Sequence, residues 1–217
     1  MLNSVFKTAH SEFLIKKLLG KGKSGHSYLA ENDSGKVVLK IMHDEPVAYY
    51  TFHDSKTKLE IGAYERLSKL NLKIPKLYEF DFDRQFLVKE FIDGTVASEF
   101  ISLGKISDTA IGQMFEMSEK LKNENINIDY FPTNFVIRND EIFYIDYETN
   151  SYLEEWNFLN WGIYYWANSE GMKRYLETGD SGAINEFPEK GIPHKREFEN
   201  QVNLWKQKFN LATNSHQ

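Results

Sequence analysis

Three glycines near the amino terminus stand at a spacing that suits a phosphate-binding loop. Gly20, Gly22 and Gly25 follow the pattern G-x-G-x-x-G. Because glycine has no Cβ, the backbone N–H groups of such a loop can approach phosphate oxygens closely. Residues 13–19 before the loop and 26–30 after it have the apolar character of strands. We therefore expect the glycines at the turn of a strand hairpin.

Two familiar glycine motifs fit this segment poorly. A Rossmann dinucleotide site requires a helix directly after the glycines, whereas a strand is predicted here. A Walker A loop requires Lys after its last glycine, and His26 stands at that position. Two interpretations remain: a flexible turn, or a glycine-rich flap that covers nucleotide phosphates between two strands.

Lys40 is a charged residue inside an apolar segment. It lies in residues 36–42, whose β-branched content predicts a buried strand. A buried ammonium costs free energy unless a carboxylate pairs with it. Lys40 is then either a residue of an edge strand whose ammonium reaches water, or a cation that holds nucleotide phosphates and is itself fixed by a carboxylate.

Two carboxylates on the next predicted helix, residues 56–72, could pair with Lys40. Apolar residues recur there at spacings of three and four, which is the helical period. Glu60 shares a stripe of this helix with Leu67, whereas polar residues surround Glu65. We therefore expect Glu60 to be the partner of Lys40, and a solvent-exposed helix Glu is the alternative.

A third group of polar residues lies further along the chain. Asp129 and Asn134 stand five residues apart, and Asp146 directly follows an apolar segment. Residues 135–137 and 142–145 flank a polar turn, so they predict a short hairpin between Asn134 and Asp146.

The order of these features resembles the protein-kinase-like superfamily over roughly residues 13–150. The resemblance implies an α+β, bilobal protein-kinase-like fold. An N-lobe with an antiparallel sheet and one helix would span residues 1–91, and a short, mainly helical C-lobe would span 92–217. In the second part the periodicity predicts helices, at 107–123, 154–169 and 196–210.

The resemblance also assigns roles, with ATP and Mg²⁺ as cofactors. Lys40 would hold the phosphates and Glu60 would hold Lys40, while Asp129 would accept or orient the proton of the attacking hydroxyl. Asn134 and Asp146 would bind Mg²⁺, a hard cation that prefers oxygen ligands. The residues that would surround the nucleotide itself are Gly20, Gly22, Gly25, Val38, Lys40, Glu90 and Phe91.

The chain departs from familiar kinases at several positions. Asn127 replaces a His that precedes the catalytic Asp, and Phe131 replaces the Lys or His that follows it. After Asp146 come Tyr147 and Glu148, an Asp-aromatic-Glu sequence similar to that of small-molecule kinases. All the charged and metal-binding positions are nevertheless present, which favours an active enzyme over a nucleotide-binding pseudokinase.

The number of residues after Asp146 indicates which kind of acceptor the protein would phosphorylate. The chain after Asp146 is short, as in RIO-type kinases and the small kinase of the tRNA threonylcarbamoyl-adenosine machinery, and residues 60–75 also resemble the RIO type. We therefore expect transfer of the γ-phosphoryl group to a Ser or Thr hydroxyl of a protein. The alternative is a small alcohol, as in aminoglycoside and choline kinases.

Aromatic residues of the predicted helix at 154–169 fall into two groups. Trp156 and Trp166 lie on one stripe, which predicts that they belong to the core. Trp161 and Tyr165 lie off that stripe; packing is expected for them too, with an acceptor platform as the alternative.

Composition limits the remaining classes. The 217 residues are 41% hydrophobic and 27% charged, which is typical of a folded globular chain. The net charge of −6 disfavours direct nucleic-acid binding. Since there is no Cys, no apolar run of about 20 residues and no signal-peptide pattern, a cytoplasmic protein without a membrane partner is expected. The six His residues show no metal-binding spacing, so surface or capping positions are expected for them.

Overall fold

The computed structural model describes residues 1–45 and 53–213. These residues form two units. Unit 1 contains the described residues of Met1–Lys69 together with Ile74–Ile92, and unit 2 contains Leu70–Lys73 and the described chain from Asp93 onward. The fold class is α+β, which confirms the prediction at the level of class.

Unit 1 is built on one six-stranded antiparallel sheet with strand order β1-β2-β3-β4-β6-β5. Among the described residues between β4 and β5, the chain forms one helix, α1 (Lys56–Ser68). The strands are β1 (Val5–Lys7), β2 (Glu12–Lys21), β3 (Gly25–Asn32), β4 (Gly35–Met42), β5 (Leu77–Asp81) and β6 (Phe86–Glu90).

The tight turn between β3 and β4 fixes the register on which the candidate site depends. Asn32 pairs with Gly35, so only two residues form the turn. The side chain of Asn32 accepts a hydrogen bond from the Ser34 N–H at 2.9 Å. Gly35 has a φ of +126°, a conformation that side chains rarely adopt. The strands predicted at residues 26–30 and 36–42, which flank this turn, are therefore confirmed.

Alternation along β4 places Val37 and Leu39 on the face opposite Lys40. Val37 and Leu39 are buried in the core of unit 1, together with Ile15 of β2 and Phe86 of β6. Because successive side chains of a strand point to opposite faces, Lys40 lies on the face opposite Leu39.

Helix α1 ends at Ser68, four residues before the predicted end. Asn71 has a φ of +52°, which no α-helix accommodates, and Asn is among the residues that tolerate this conformation best. The buried side of α1 includes Glu60, Ile61 and Leu67. The helix therefore presents a carboxylate from its packed face, as the stripe in the sequence predicted.

Among its described residues, unit 2 combines five α-helices with short strands. Its helices are α2 (Ala97–Ser102), α3 (Asp108–Asn123), α4 (Ile163–Ala167), α5 (Ser169–Thr178) and α6 (Glu199–Thr213). Its strands are β7 (Thr95–Val96), β8 (Ile126–Asn127), β9 (Phe135–Arg138), β10 (Glu141–Tyr144), β11 (Asn150–Ser151), β12 (Asn185–Phe187) and β13 (Ile192–Pro193). The strands form small sheets, of which β10-β9-β7 has three strands. The predicted helix at 107–123 and the predicted hairpin at 135–145 are confirmed with small shifts of their bounds.

The single helix predicted for residues 154–169 is wrong. The chain forms a 3₁₀ turn at Glu154–Trp156, a π-helical segment at Phe158–Gly162 and then α4. Asn157 interrupts the helix because its side chain accepts the Asn160 N–H at 2.8 Å, which caps a new helical start. Trp156 consequently lies at the surface and not in the core, whereas Trp166 is buried as predicted.

Helix α5 was not predicted. The Asn168 side chain accepts the Gly171 N–H at 2.8 Å, so Asn168 ends one helical segment and caps the next. The predicted helix at 196–210 begins instead with a 3₁₀ turn at Arg196–Phe198 and continues as α6. Within the described ranges, no helix combines the length and apolar character needed to cross a membrane.

Candidate functional site

Lys40 and Glu60 form a buried ion pair in unit 1. Lys40 Nζ lies 2.5 Å from Glu60 Oε1, and each side chain is only 7% exposed. Strand β4 pairs with β3 on one side and with β6 on the other, so Lys40 is not on an edge strand. The alternatives of an edge Lys and a solvent-exposed Glu60 are therefore both excluded, and Glu65 is the exposed residue.

Ser24 joins this pair from the glycine segment. Its hydroxyl donates a hydrogen bond of 2.7 Å to Glu60 Oε1, the same oxygen that meets Lys40. The other carboxylate oxygen of Glu60 is buried, and no described residue donates a hydrogen bond to it. The sequence analysis missed Ser24, although its position directly before Gly25 was the available signal.

The glycines form the expected hairpin turn between β2 and β3. The Gly22 N–H donates to the Gly25 carbonyl oxygen at 2.9 Å. A Cβ added at Gly20 would have no neighbour within 4 Å, and one at Gly22 would meet only the Gly25 carbonyl oxygen, at 3.5 Å. At Gly25 an added Cβ would lie 2.6 Å from the Ile41 carbonyl oxygen. Close packing against β4 thus accounts for Gly25, whereas space does not require glycine at the other two positions.

We expect Gly25→Ala to destabilise the protein by about 1–3 kcal/mol, because the added methyl group must displace the β4 backbone. Gly20→Ala is the matched control and should change stability by less than about 0.5 kcal/mol. Urea unfolding measures both values. Equal stability of the two variants would contradict the close contact at Gly25.

The residues expected around adenine lie on β4 and at the end of β6. Val38 is partly buried and pairs with Lys89. The Glu90 N–H donates to the Lys76 carbonyl oxygen at 2.8 Å, so the sheet already engages this donor. The ammonium of Lys36 lies 5.7 Å from the centre of the Phe91 ring.

In unit 2, Asp129 and Asn134 belong to one compact turn. Asp129 Oδ1 accepts the Phe131 N–H at 3.0 Å, and Asn134 Nδ2 donates to the Asp129 carbonyl oxygen at 3.3 Å. Pro132 begins a 3₁₀ turn that ends at Asn134, and its fixed φ suits that first position. The structure therefore brings these two predicted residues together.

Asp146 is attached to the same turn through its neighbour in the chain. The Ile145 N–H donates to the Asn134 carbonyl oxygen at 2.9 Å, directly after β10. Asp146 Oδ1 accepts the Tyr147 N–H at 2.9 Å, which orients the carboxylate. The hairpin of β9 and β10 thus returns the chain to the turn that contains Asn134.

Three carboxylates make this part of unit 2 negative. Burial raises the pKa of Asp129, and the charges of Glu148 and Asp146 raise it further, against the lowering effect of the Phe131 N–H. The pKa of Tyr144 is raised by burial and by the same three carboxylates. Glu148 is a site residue that the sequence analysis used only as a family signature. Such a group of oxygen donors suits a hard cation, which would relieve the repulsion among them.

The residues that depart from familiar kinases have structural roles. Asn127 is buried, and its Nδ2 donates to the Leu153 carbonyl oxygen at 3.0 Å. The Phe131 ring packs edge-on against Tyr165 and Tyr175, with centroid distances of 5.1 and 5.8 Å. An aromatic cluster therefore occupies the position where a charge was expected from the resemblance.

Trp161 and Tyr165, whose rings lie 5.1 Å apart, are also engaged in packing. Tyr165 is buried, and its hydroxyl donates to Asn185 Oδ1 at 2.6 Å. Trp161 Nε1 donates to the Gly191 carbonyl oxygen at 2.7 Å. Packing was the primary expectation for both residues, and these contacts agree with it.

Two groups of residues can therefore support chemistry. Unit 1 offers a buried cation held by a carboxylate beside a glycine hairpin, and unit 2 offers a cluster of oxygen donors around a compact turn.

Comparison of the chain with models of known protein families gives no match, and comparison with curated proteins gives none.

Proposed function

We propose that the protein is an ATP-dependent phosphotransferase that moves the γ-phosphoryl group of Mg-ATP to a hydroxyl, as a compact atypical Ser/Thr protein kinase. The buried pair of Lys40 and Glu60 carries this proposal. Apolar residues of similar volume would often stabilise a core better than a buried ion pair. A functional role would explain why a charged pair and not an apolar pair occupies this buried position.

The pair suits phosphate binding because it fixes a cation in position. Phosphoryl transfer depends mostly on positioning and on stabilisation of negative charge. The carboxylate of Glu60 restricts an otherwise flexible Lys side chain, so Lys40 can meet phosphate oxygens without a large loss of side-chain entropy. The glycine hairpin joins β2 to β3, and β3 pairs with β4. Residues of its turn other than Gly22, whose N–H already donates to the Gly25 carbonyl oxygen, would supply backbone N–H groups.

The residues of unit 2 support the remaining roles. Asn134 and Asp146 would hold Mg²⁺, which neutralises phosphate charge when it is bound. Asp129 would take the proton from the acceptor hydroxyl, because a raised pKa brings a carboxylate closer to the operating pH of a general base. The bilobal protein-kinase-like arrangement of the two units is part of the same proposal.

A small-molecule hydroxyl kinase is the second candidate. It is favoured by Glu148, whose charge acts on Asp129 together with that of Asp146. An Asp-aromatic-Glu sequence was the feature that resembled aminoglycoside and choline kinases. Labelled ATP offered with proteins and with small alcohols separates the two candidates, since exclusive labelling of small alcohols would replace the protein-kinase proposal.

Calorimetric titration of ATP, with and without Mg²⁺, tests the proposed function. We expect Mg-dependent binding to the wild type that weakens at least about tenfold in Asp146→Asn, because a metal ligand is lost. Asp108→Asn is the matched control, since Asp108 is an exposed carboxylate of unit 2 paired with Lys208. No binding at millimolar ATP, or an unchanged Mg dependence in Asp146→Asn, would contradict the proposal.

A further inference from the structure

The hairpin of β3 and β4 brings two histidines together on the face opposite Lys40. His26 pairs with Ile41, and His43 lies two residues further along the chain. His43 lies directly after β4, and its N–H donates to the Ser24 carbonyl oxygen at 3.2 Å, so the contact with the β3 side continues past the end of the strand. Their ring centroids are 4.8 Å apart. Lys40 pairs with Ser27, one step along both strands, and therefore points to the other face.

Glu45 completes a group of three possible ligands. One ligand atom each from His26, His43 and Glu45 lies within 4.8 Å of the other two. Both histidines are partly buried and Glu45 is exposed, so solvent reaches the group. The sequence does not predict this group, because the pairing of β3 with β4, and not a short spacing in the chain, brings the two histidines together.

The hydrogen bonds of His43 orient its ring for metal binding. His43 Nε2 lies 3.0 Å from the Gly22 carbonyl oxygen, which can only accept, so this nitrogen is assigned the proton. Nδ1 then carries the only lone pair of the ring, which accepts the Glu45 N–H at 3.2 Å and would bind a metal once that hydrogen bond is released. Histidines that bind metals commonly donate their other N–H to a carbonyl in this way. The ring of His43 is thus held with Nδ1 directed towards the segment of Glu45.

We propose that His26, His43 and Glu45 bind a divalent transition-metal ion such as Zn²⁺, with water as the fourth ligand. Zinc bonds of about 2.0–2.2 Å place tetrahedral ligand atoms about 3.3 Å apart. Metal binding would therefore require rotation of the exposed Glu45 side chain, shifts of the two partly buried rings and release of the Glu45 N–H from His43 Nδ1. Imidazole ligands favour Zn²⁺, Ni²⁺ and Cu²⁺ over Mg²⁺, so the site is chemically distinct from the oxygen donors of unit 2.

Metal binding would tie the glycine turn to β3 and to the segment that follows β4. His26 belongs to β3, His43 follows β4, and His43 holds the Gly22 carbonyl at the turn. A ligand that binds only the folded state raises its stability by mass action. We expect Zn²⁺ at about 100 times its Kd to raise the unfolding temperature by about 5 °C or more.

Zinc titration of the untagged protein in competition with a chromophoric chelator tests the site. We expect one equivalent bound with a Kd in the micromolar range or below, and at least about tenfold weaker binding in His26→Gln, His43→Gln and Glu45→Gln. His10→Gln is the matched control, because His10 is an exposed histidine of the same unit, and it should bind like the wild type. X-ray absorption of the bound zinc should show two imidazole ligands.

Two results would overturn the site. The first is wild-type binding weaker than about 100 µM, or zinc bound equally well by His26→Gln, because both indicate an adventitious ion only. The second is displacement of Zn²⁺ by an equal concentration of Mg²⁺, because a site with two imidazole ligands discriminates against Mg²⁺. Circular dichroism of each variant establishes that it is folded, and His26→Gln keeps the test decisive if His43→Gln fails to fold.

Discussion

Asp129→Asn is expected to lower the rate of phosphoryl transfer by about 10²–10⁴-fold, which is the usual contribution of a general base. Asparagine keeps the shape of the side chain, and its carbonyl oxygen can still accept the Phe131 N–H. Affinity for Mg-ATP should therefore change by less than about threefold, since Asp129 acts on the acceptor hydroxyl and not on the nucleotide.

The same substitution should stabilise the fold at neutral pH. Burial raises the pKa of Asp129 in the folded state, so its ionised form opposes folding. Above the raised pKa, wild-type Asp129 carries this penalty and the Asn variant does not. As the pH falls through the raised pKa towards the ordinary Asp value of about 3.9, the difference in stability shrinks and then vanishes.

Turnover of labelled ATP and thermal unfolding from about pH 4 to about pH 8 measure the two effects. Asp108→Asn again serves as the control, because it removes an exposed carboxylate of unit 2 and should alter neither property strongly. Equal turnover in wild type and Asp129→Asn would point to the nucleotide-binding pseudokinase. A stability difference that stays constant with pH would contradict the raised pKa.

Local patterns in the sequence predicted the elements that carry the first half of the site. The β-branched segment around Lys40 and the turn ending at Gly35 specify a hairpin through short-range preferences. The helical stripe of Glu60 identified the correct one of two carboxylates, because a period of 3.6 residues determines which side chains face the core. The pairing with Lys40 then follows from the cost of leaving either charge buried alone.

Side-chain hydrogen bonds and strand register account for what the sequence analysis missed. Asn157 and Asn168 divide one predicted helix into several segments, because their side chains cap backbone N–H groups that a continuous helix would use. The cluster of His26 and His43 depends on strand register, and the hydrogen bond from Ser24 depends on how the turn approaches α1. None of these contacts has a periodic signal in the sequence.

The raised pKa of Asp129 likewise could not be predicted from the sequence. It results from burial and from carboxylates that lie 17 and 19 positions away in the chain, at Asp146 and Glu148. The sequence placed these residues in order, but only the fold shows that their charges act on one another. Electrostatic environment depends on distance in space, which residue types and spacing do not specify.

Lys40→Met is expected to lower the free energy of unfolding by about 3–5 kcal/mol. The variant leaves the Glu60 carboxylate buried without its cation, and one of its oxygens already lacks a donor among the described residues. Ser24 would remain as a hydroxyl donor, which offsets only part of the cost of a buried charge.

Lys7→Met is the matched control in the same unit. Lys7 and Glu12 form an ion pair of 2.7 Å whose side chains are 71% and 60% exposed. Water solvates both charges there, so removal of Lys7 should cost only about 0.2–1 kcal/mol. Urea unfolding compares the two variants directly. A loss in Lys40→Met no larger than that in Lys7→Met would contradict the buried ion pair.

The double variant Lys40→Met/Glu60→Leu separates folding from function. Replacement of both charges by apolar groups removes the unpaired carboxylate, so stability should return to within about 1 kcal/mol of the wild type or exceed it. Mg-ATP affinity should stay at least about tenfold weaker, because no cation remains to meet the phosphates. Calorimetry measures the affinity of this double variant for Mg-ATP. An affinity equal to that of the wild type would show that Lys40 is not a phosphate ligand. A weakened affinity in a stably folded variant would mean that the ion pair serves nucleotide binding.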